Sequence, residues 1–216
     1  MRAHVREFDA STFSFRRDPI LVLDGFWSKE ERAQFQEAMK RGRWTALRDM
    51  PETSRAFPGC GNWGKAQIAP TEASLFMSRV AMPCIASYVE SFPGIVKRHV
   101  SFAYYSYAAG DCLSTHDDTD QGYGAQPGQA LPARRLALVT YLHDRWEPDW
   151  GGELIVYQKR STRDGQPSLE ATHCIAPEPG SLVIFSVPRF HRVARVDALA
   201  GENRRLSIAG WFMTES

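Results

Sequence analysis

These 216 residues offer no cysteine scaffold, no membrane-spanning run and no excess of charge of either sign. The four cysteines, Cys60, Cys84, Cys112 and Cys174, stand far apart and form no Cys-x-x-Cys pair. That argues against a zinc knuckle and leaves no legible disulfide framework. Lysine plus arginine (26) and aspartate plus glutamate (25) nearly cancel, so no electrostatic attraction to nucleic acid or to an anionic membrane is expected. Basic pairs such as Arg16-Arg17 and Lys159-Arg160 are scattered and read as solvated surface. The opening MRAHVREFDASTF lacks the apolar centre of a secretory signal, and no stretch approaches the length of a membrane span. Internal repeats and low-complexity tracts are missing as well. These absences predict a reduced, cytoplasmic protein folded as one domain over residues 1–216, long enough for a single core to bury most of its apolar surface.

What the chain holds in quantity is aromatic residues, with twelve Phe, seven Tyr and six Trp, as a β-rich core or an aromatic-lined pocket requires. Residues 1–95 carry the helical signals. DPILVLDGFWSKEERAQFQEAMKRGRW reads as strand, turn and helix, with Ser28 and Glu31 spaced as a capping box and Gly42 at the helix end. His4 falls in a terminus with no evident anchor. From Thr71 to Phe92 apolar residues recur at helical spacing, and Pro83 should kink that segment or begin a second helix. RAFPGCGNWGK, between the helices, reads as loop.

From residue 96 the pattern changes to strand-like runs bounded by Gly, Pro, Asp and Asn: KRHVSFAYYSY, RRLALVTYLH, GGELIVYQ, LEATHCIA, GSLVIFSV, HRVARV and RRLSIAGWF. Strands at this spacing without intervening helices predict a mainly β fold with some α (α+β), a jelly roll or double-stranded β-helix over 96–216 buttressed by the helices of 1–95. Residues 117–133 have little to bury and read as a loop at the rim of a site.

The chemistry gathers in LSTHDDTDQG, residues 113–122. In an extended chain side chains two apart share a face, so His116 and Asp118 should point together, with Asp117 away from them and Asp120 on the loop surface. One imidazole and one carboxylate need a second imidazole to complete a 2-His-1-carboxylate triad that leaves coordination positions of Fe(II) open. Among the remaining histidines, His99 and His173 lie inside strand-like runs without an acidic neighbour and His143 closes a strand. His191 follows the apolar run SLVIFSV and Pro188, and is the favoured partner. The last strand, NRRLSIAGWF, places a basic residue in apolar surroundings, where an unpaired guanidinium is costly and an anionic partner is expected.

Taken together, YAAGDCLSTHDD, RRLALVTYLHDRWEPDWGGELIVY, PEPGSLVIFSVPRFHRVARV and RRLSIAGWF resemble the Fe(II)/2-oxoglutarate-dependent dioxygenase superfamily in its prolyl-4-hydroxylase-like branch, over roughly residues 97–213. The resemblance implies iron ligation by His116, Asp118 and His191. It implies that Arg205, six residues before Trp211, holds the distal carboxylate of 2-oxoglutarate. Arg204 is the competitor, and alternation admits only one of the two. Tyr141 matches a tyrosine that assists at that carboxylate and Tyr107 one that lines the pocket, although both also suit an ordinary core. Leu113 stands where some relatives have a second pocket tyrosine. Trp146, Trp150 and Trp211 read as packing residues, DWGGEL as a tight turn and Cys112 as a small buried residue.

The implied cofactor set is Fe(II), 2-oxoglutarate and O2, with ascorbate as an optional reductant. The implied reaction is hydroxylation of an unactivated C–H of a protein side chain, coupled to decarboxylation of 2-oxoglutarate to succinate. Retention of the carboxylate ligand favours hydroxylation over halogenation. The rival readings are a hydroxylase of a free amino acid or natural-product intermediate, a non-catalytic jelly-roll binding module, and a metal-dependent hydrolase active with zinc and without O2. No nucleic-acid or membrane partner is expected. The segments 50–66 and 119–133 are the expected determinants of substrate choice.

Overall fold

Strand alternation sorts the chain into two sheets and a helical layer. The structure is a computed structural model and describes residues 1–9, 11, 14, 16–119, 133–161 and 166–214, with backbone alone for 96–99. The strands are β1 (Arg2–His4), β2 (Ile20–Asp24), β3 (Trp44–Ala46), β4 (Gly64–Ala66), β5 (Ile95–Tyr107), β6 (Leu113–His116), β7 (Ala133–Tyr141), β8 (Leu154–Ser161), β9 (Pro167–Ile175), β10 (Leu182–Ser186), β11 (His191–Val193) and β12 (Arg205–Thr214). The helices are α1 (Lys29–Arg41), α2 (Pro51–Ala56), α3 (Pro70–Val80) and α4 (Pro83–Glu90). The large sheet has the order β1-β2-β10-β7-β12-β5-β4-β3 and the small one β6-β11-β8-β9. All pairs are antiparallel except β1 with β2.

The central strands of the large sheet are covered on both faces, which is why they read as continuous apolar runs. Along β7, Leu136 and Leu138 meet the helices while Ala137, Val139 and Tyr141 face the small sheet. β10 divides the same way, Leu182 and Ile184 against Val183 and Phe185. The helical layer contributes Phe35, Met39, Phe76, Ile85 and Tyr88 to the first core. It is pinned by Arg79, whose Nε donates to Glu31 Oε1 at 3.0 Å and so ties α3 to the start of α1.

Several expectations are met in detail. Ser28 and Glu31 form the capping box, and Pro83 starts a second helix instead of kinking one. Others change. Gly42 ends α1 with φ −67°, not in the left-handed conformation of a C′ glycine. His4 belongs to β1, held by parallel pairing with β2. The stretch 55–65 is only partly loop, because Arg55 and Ala56 end α2 and Gly64 and Lys65 pair with β5. The first 95 residues thus extend the large sheet at both edges as well as covering it. Asp120 and residues 120–132 of the rim loop lie outside the described residues. Among the described residues no helix is long and apolar enough to cross a membrane.

His143, just past β7, is a buried structural histidine. Its Nε2 lies 2.7 Å from Pro177 O, and Leu206 N–H donates to its Nδ1 at 3.3 Å. Those partners require the neutral ring. Burial pushes its pKa down from 6.5 to about 4, with the charge of Arg205 acting the same way. A depressed pKa stabilises the fold fully above pH 6.5 and is lost as pH falls from there toward 4, a span worth about 3 kcal/mol at 1.36 kcal/mol per unit. Urea unfolding of the iron-free protein should therefore lose stability more steeply between pH 7 and 4.5 than that of His143→Asn. His191 titrates in both proteins, so the difference between their slopes isolates His143.

Candidate active site

Both imidazoles come from the small sheet, where His191 of β11 and His116 of β6 are direct cross-strand partners. Their ring centroids lie 4.2 Å apart. Each ring is oriented from behind: Nδ1 of His116 lies 2.8 Å from Ser114 O, and Nδ1 of His191 lies 2.7 Å from Arg189 O. With Nδ1–H donating to a carbonyl, Nε2 keeps its lone pair for a ligand. Phe57 packs edge-on against His116 at 5.2 Å and Phe185 against His191 at 4.9 Å, holding both ring planes.

Asp118 reaches the imidazoles by a different route from strand alternation. β6 stops at His116, and Asp118 has φ +60°, the one described non-glycine residue with positive φ. Aspartate tolerates this left-handed conformation better than most residues. The turn is held by Thr119 N–H donating to Asp117 Oδ1 at 3.0 Å and Arg189 N–H donating to Asp117 O at 3.2 Å. Asp118 Oδ1 then lies 3.4 Å from His116 Nε2, and Oδ2 lies 3.4 Å from His191 Nε2. The expected convergence is present, but a turn and not an extended chain produces it. Asp117, expected to face away, keeps its carboxylate on the turn and lines the same cavity.

Burial alone would raise the Asp118 pKa, but hydrogen bonding to His116, the charge of His191 and the Trp211 donor bring it down to about 2. His191 moves down to about 4, chiefly by burial, with His116 adding to the effect. At neutral pH the cluster therefore presents an ionised carboxylate and a neutral His191 ring. The three ligand atoms lie within 4.8 Å of one another, a donor set of the size and chemistry that holds Fe(II).

The large sheet supplies the opposite wall. Arg205 opens β12 and is 2% exposed. Its Nε donates to Gly152 O at 2.8 Å and its Nη2 to Tyr141 OH at 3.4 Å. The guanidinium lies 4.8 Å from the Tyr141 ring centroid and 5.4 Å from that of Tyr107. No carboxylate among the described residues pairs with it. Arg204 turns the other way and donates to Ser106 Oγ at 2.8 Å. Tyr107 is Arg205's cross-strand partner and stacks on Trp63, with centroids 5.6 Å apart. Burial raises the phenol pKa of both Tyr107 and Tyr141, so both stay protonated. All but Tyr141 of the expected site residues line one cavity of about 600 Å3, while Tyr141 lies behind Arg205.

Three contributors were not legible as such. Ser207, two positions from Arg205 on the same face, is 1% exposed with its Oγ unpartnered, and the alternation that selects Arg205 also points to it. Gly152, in the DWGGEL turn, carries the carbonyl that accepts from Arg205, and at φ +72° a Cβ there would lie 3.0 Å from Arg205 Cδ. No local signal marks it. Trp146 and Trp150 do pack as expected, but Trp211 donates from Nε1 to Asp118 Oδ2 at 2.8 Å. Trp211→Phe keeps the ring and removes the donor, so Fe(II) affinity measured by anaerobic titration should fall on the order of 10-fold.

The buried cation without a carboxylate and the unpartnered Ser207 hydroxyl suit a dicarboxylate cosubstrate. The facing 2-His-1-carboxylate cluster suits Fe(II), and fold and site together define an oxygenase of that type. The chain belongs to the 2OG-Fe(II) oxygenase superfamily, whose sequence profile matches residues 102–213. Members of that superfamily use Fe(II), 2-oxoglutarate and O2, and the clustered His116, Asp118 and His191 are a donor set of the kind such an iron needs. Among the chain's relatives is the Mus musculus prolyl 3-hydroxylase OGFOD1, 34% identical over 115 residues, which are 52% of this chain and 18% of that protein. The match therefore spans under a fifth of the relative's length. Among solved structures, a Pseudomonas putida prolyl-4-hydroxylase superposes with a TM-score of 0.61 at 18% identity, covering 94% of this chain and 96% of that one. A Trichoplax adhaerens prolyl hydroxylase in complex with a peptide fragment of hypoxia inducible factor gives 0.61 at 15% identity, over 96% and 88%.

Proposed function

We propose that the chain hydroxylates an unactivated C–H of a protein side chain, with prolyl residues as the leading substrates. In this reading His116, Asp118 and His191 hold the iron, and Arg205, assisted by Tyr141 and Ser207, holds the distal carboxylate of 2-oxoglutarate. Bound Fe(II) and 2-oxoglutarate supply the O2-dependent oxidation, in which the cosubstrate is decarboxylated to succinate. The protein's part is geometric and electrostatic. Ser114 O and Arg189 O hold the imidazole tautomers, Trp211 holds one carboxylate oxygen, and Gly152 O and Tyr141 aim the guanidinium. Leu154, Phe185 and Val193 give the cavity an apolar wall beside the triad that keeps bulk water from the target carbon.

The observation that carries the reading is Arg205, a buried guanidinium that no carboxylate of the described residues pairs, sharing one cavity with the triad. A binding module with no dicarboxylate to hold would bear that desolvation cost for nothing. The prolyl chemistry named for OGFOD1, the P. putida enzyme and the T. adhaerens enzyme supports the substrate class. The reading includes one catalytic domain over 1–216 and a cytoplasmic setting, the latter supported by four unpaired cysteines. The test is anaerobic reconstitution with Fe(II) and 2-oxoglutarate, followed by O2, with succinate and a +16 mass shift followed over prolyl peptides and free amino acids. O2-dependent succinate above a His116→Ala control and a hydroxylated peptide are expected. Turnover with zinc in the absence of O2 would instead establish the hydrolase.

A further inference from the structure

The cavity carries more positive charge than the cosubstrate uses. Lys65 on β4 lines it, with Nζ 5.9 Å from the Tyr105 ring centroid. Lys65 is the cross-strand partner of Tyr105, and Tyr105 is the partner of Ser207 on β12. A row of side chains thus crosses three strands, from the ammonium over the phenol to the face that carries Arg205. Strands lie about 4.8 Å apart, and β5 stands between the strand of Lys65 and that of Arg205. Arg134 lies toward the same wall, its guanidinium carbon 3.9 Å from the centroid of Trp211, the ring that bonds Asp118. Tyr105, between them, feels the charges of both Asp118 and Arg134.

No carboxylate among the described residues lies within ion-pair distance of Lys65. The acidic side chains that line the cavity beyond the triad, Glu52 and Asp117, come from α2 and the end of β6 and not from the sheet that carries Lys65. Lys65 is exposed at the cavity wall, yet surrounding protein lowers its pKa by desolvation, and the like charge of Arg134 lowers it further. An anion seated against this wall would relieve both effects while its carbon skeleton lay beside the triad.

We propose that Lys65 recognises a carboxylate on the substrate, either an acidic residue adjacent to the hydroxylated one in a peptide or the α-carboxylate of a free amino acid. The inference rests on the iron and 2-oxoglutarate chemistry of the proposed function and names a group that its substrate carries. It makes Lys65 a specificity-determining residue, and the hydroxylated carbon lies within a residue's length of an anionic group.

The test is binding to the full chain loaded anaerobically with Fe(II) and 2-oxoglutarate, by calorimetry, with matched probes: Ac-Ala-Pro-Asp-NH2 against its Asn counterpart, Ac-Asp-Pro-Ala-NH2 against its Asn counterpart, and L-proline against L-prolinamide. In the wild type at least one carboxylate member should bind about 10-fold tighter than its amide, the contribution of a charge-assisted contact. That preference should shrink to near unity in Lys65→Met and persist in Lys65→Arg, with 2-oxoglutarate affinity unchanged in both. The pair that shows the preference tells an acidic peptide from a free amino acid. Equal binding of carboxylate and amide members overturns the proposal, as does a preference that Lys65→Met retains or a loss of 2-oxoglutarate affinity in that variant. A wild type that binds 2-oxoglutarate but none of the carboxylates refutes this inference alone, whereas failure to bind 2-oxoglutarate refutes the functional reading beneath it.

Discussion

Arg205→Met should abolish the thermal stabilisation that 2-oxoglutarate gives the Fe(II)-loaded protein, while the ligand-free protein stays as stable as before or gains stability. The two halves of this result have one cause. In the free protein the guanidinium is 2% exposed and, among the described residues, has hydrogen-bond partners in Gly152 O and Tyr141 OH. Replacing a buried charge by an apolar side chain of similar length is commonly neutral or stabilising. Once a dicarboxylate binds, the same charge gains a counter-ion in a desolvated site, and losing it costs about 3 kcal/mol or more, a hundred-fold or greater loss of 2-oxoglutarate affinity. Ligand at 100 times Kd stabilises by about 2.7 kcal/mol, so that shift largely disappears from a melting curve. Arg204→Met, which loses only the contact with Ser106 Oγ, should keep the full ligand-induced shift. The same shift in both variants would remove Arg205 from the cosubstrate site.

Asp118→Asn should leave the fold intact and eliminate O2-dependent succinate formation, with Fe(II) affinity reduced by several orders of magnitude. Asparagine accepts the left-handed φ of +60° about as well as aspartate does, and its amide oxygen can still accept the Trp211 hydrogen bond. What it lacks is charge. Asp118 stays ionised down to about pH 2, so it offers a permanent anion between two imidazoles, and the substitution leaves Fe(II) with two neutral nitrogens and a weak amide oxygen. Because loss of a hydrogen bond to a metal ligand alone costs 10–100-fold in metal affinity, loss of a ligand's charge should exceed the effect of Trp211→Phe in the same titration. An Asp118→Asn protein that binds Fe(II) as the wild type does would show that the carboxylate is not a ligand.

How much of this was readable in the order of residues depended on how local each signal is. The jelly roll, the two-helix split at Pro83 and the capping box at Ser28 follow from periodicity and from single residues with strong backbone preferences, which neighbours in sequence decide. The choice of Arg205 over Arg204 came from matching a family pattern, and alternation along β12 explains it: one of two adjacent side chains faces the cavity and the other donates to Ser106 Oγ. Ser207, two positions along the same face, follows from the same rule.

Asp118 shows where local reasoning misses the route by which a side chain arrives. Its spacing from His116 suggested a shared face, but the carboxylate arrives there through a left-handed turn held by Asp117 and by Arg189 from a distant strand. Gly152 and Lys65 carry no local mark at all. A glycine in a tight turn becomes the acceptor for a buried guanidinium only because β12 passes behind it. A lysine in a three-residue strand becomes part of the cavity wall only because β4 pairs with β5.

The sequence by itself therefore determined the capped α1, the helix start at Pro83 and most strands after residue 96, while β1, β3, β4 and α2 stayed unmarked, because periodicity, capping and side-chain chemistry are properties of short stretches. Only the tertiary structure decided which atoms face one another. His116 meets His191 across a ladder between segments 75 residues apart in numbering, and the charge on each group is set by burial and neighbours that no short stretch contains.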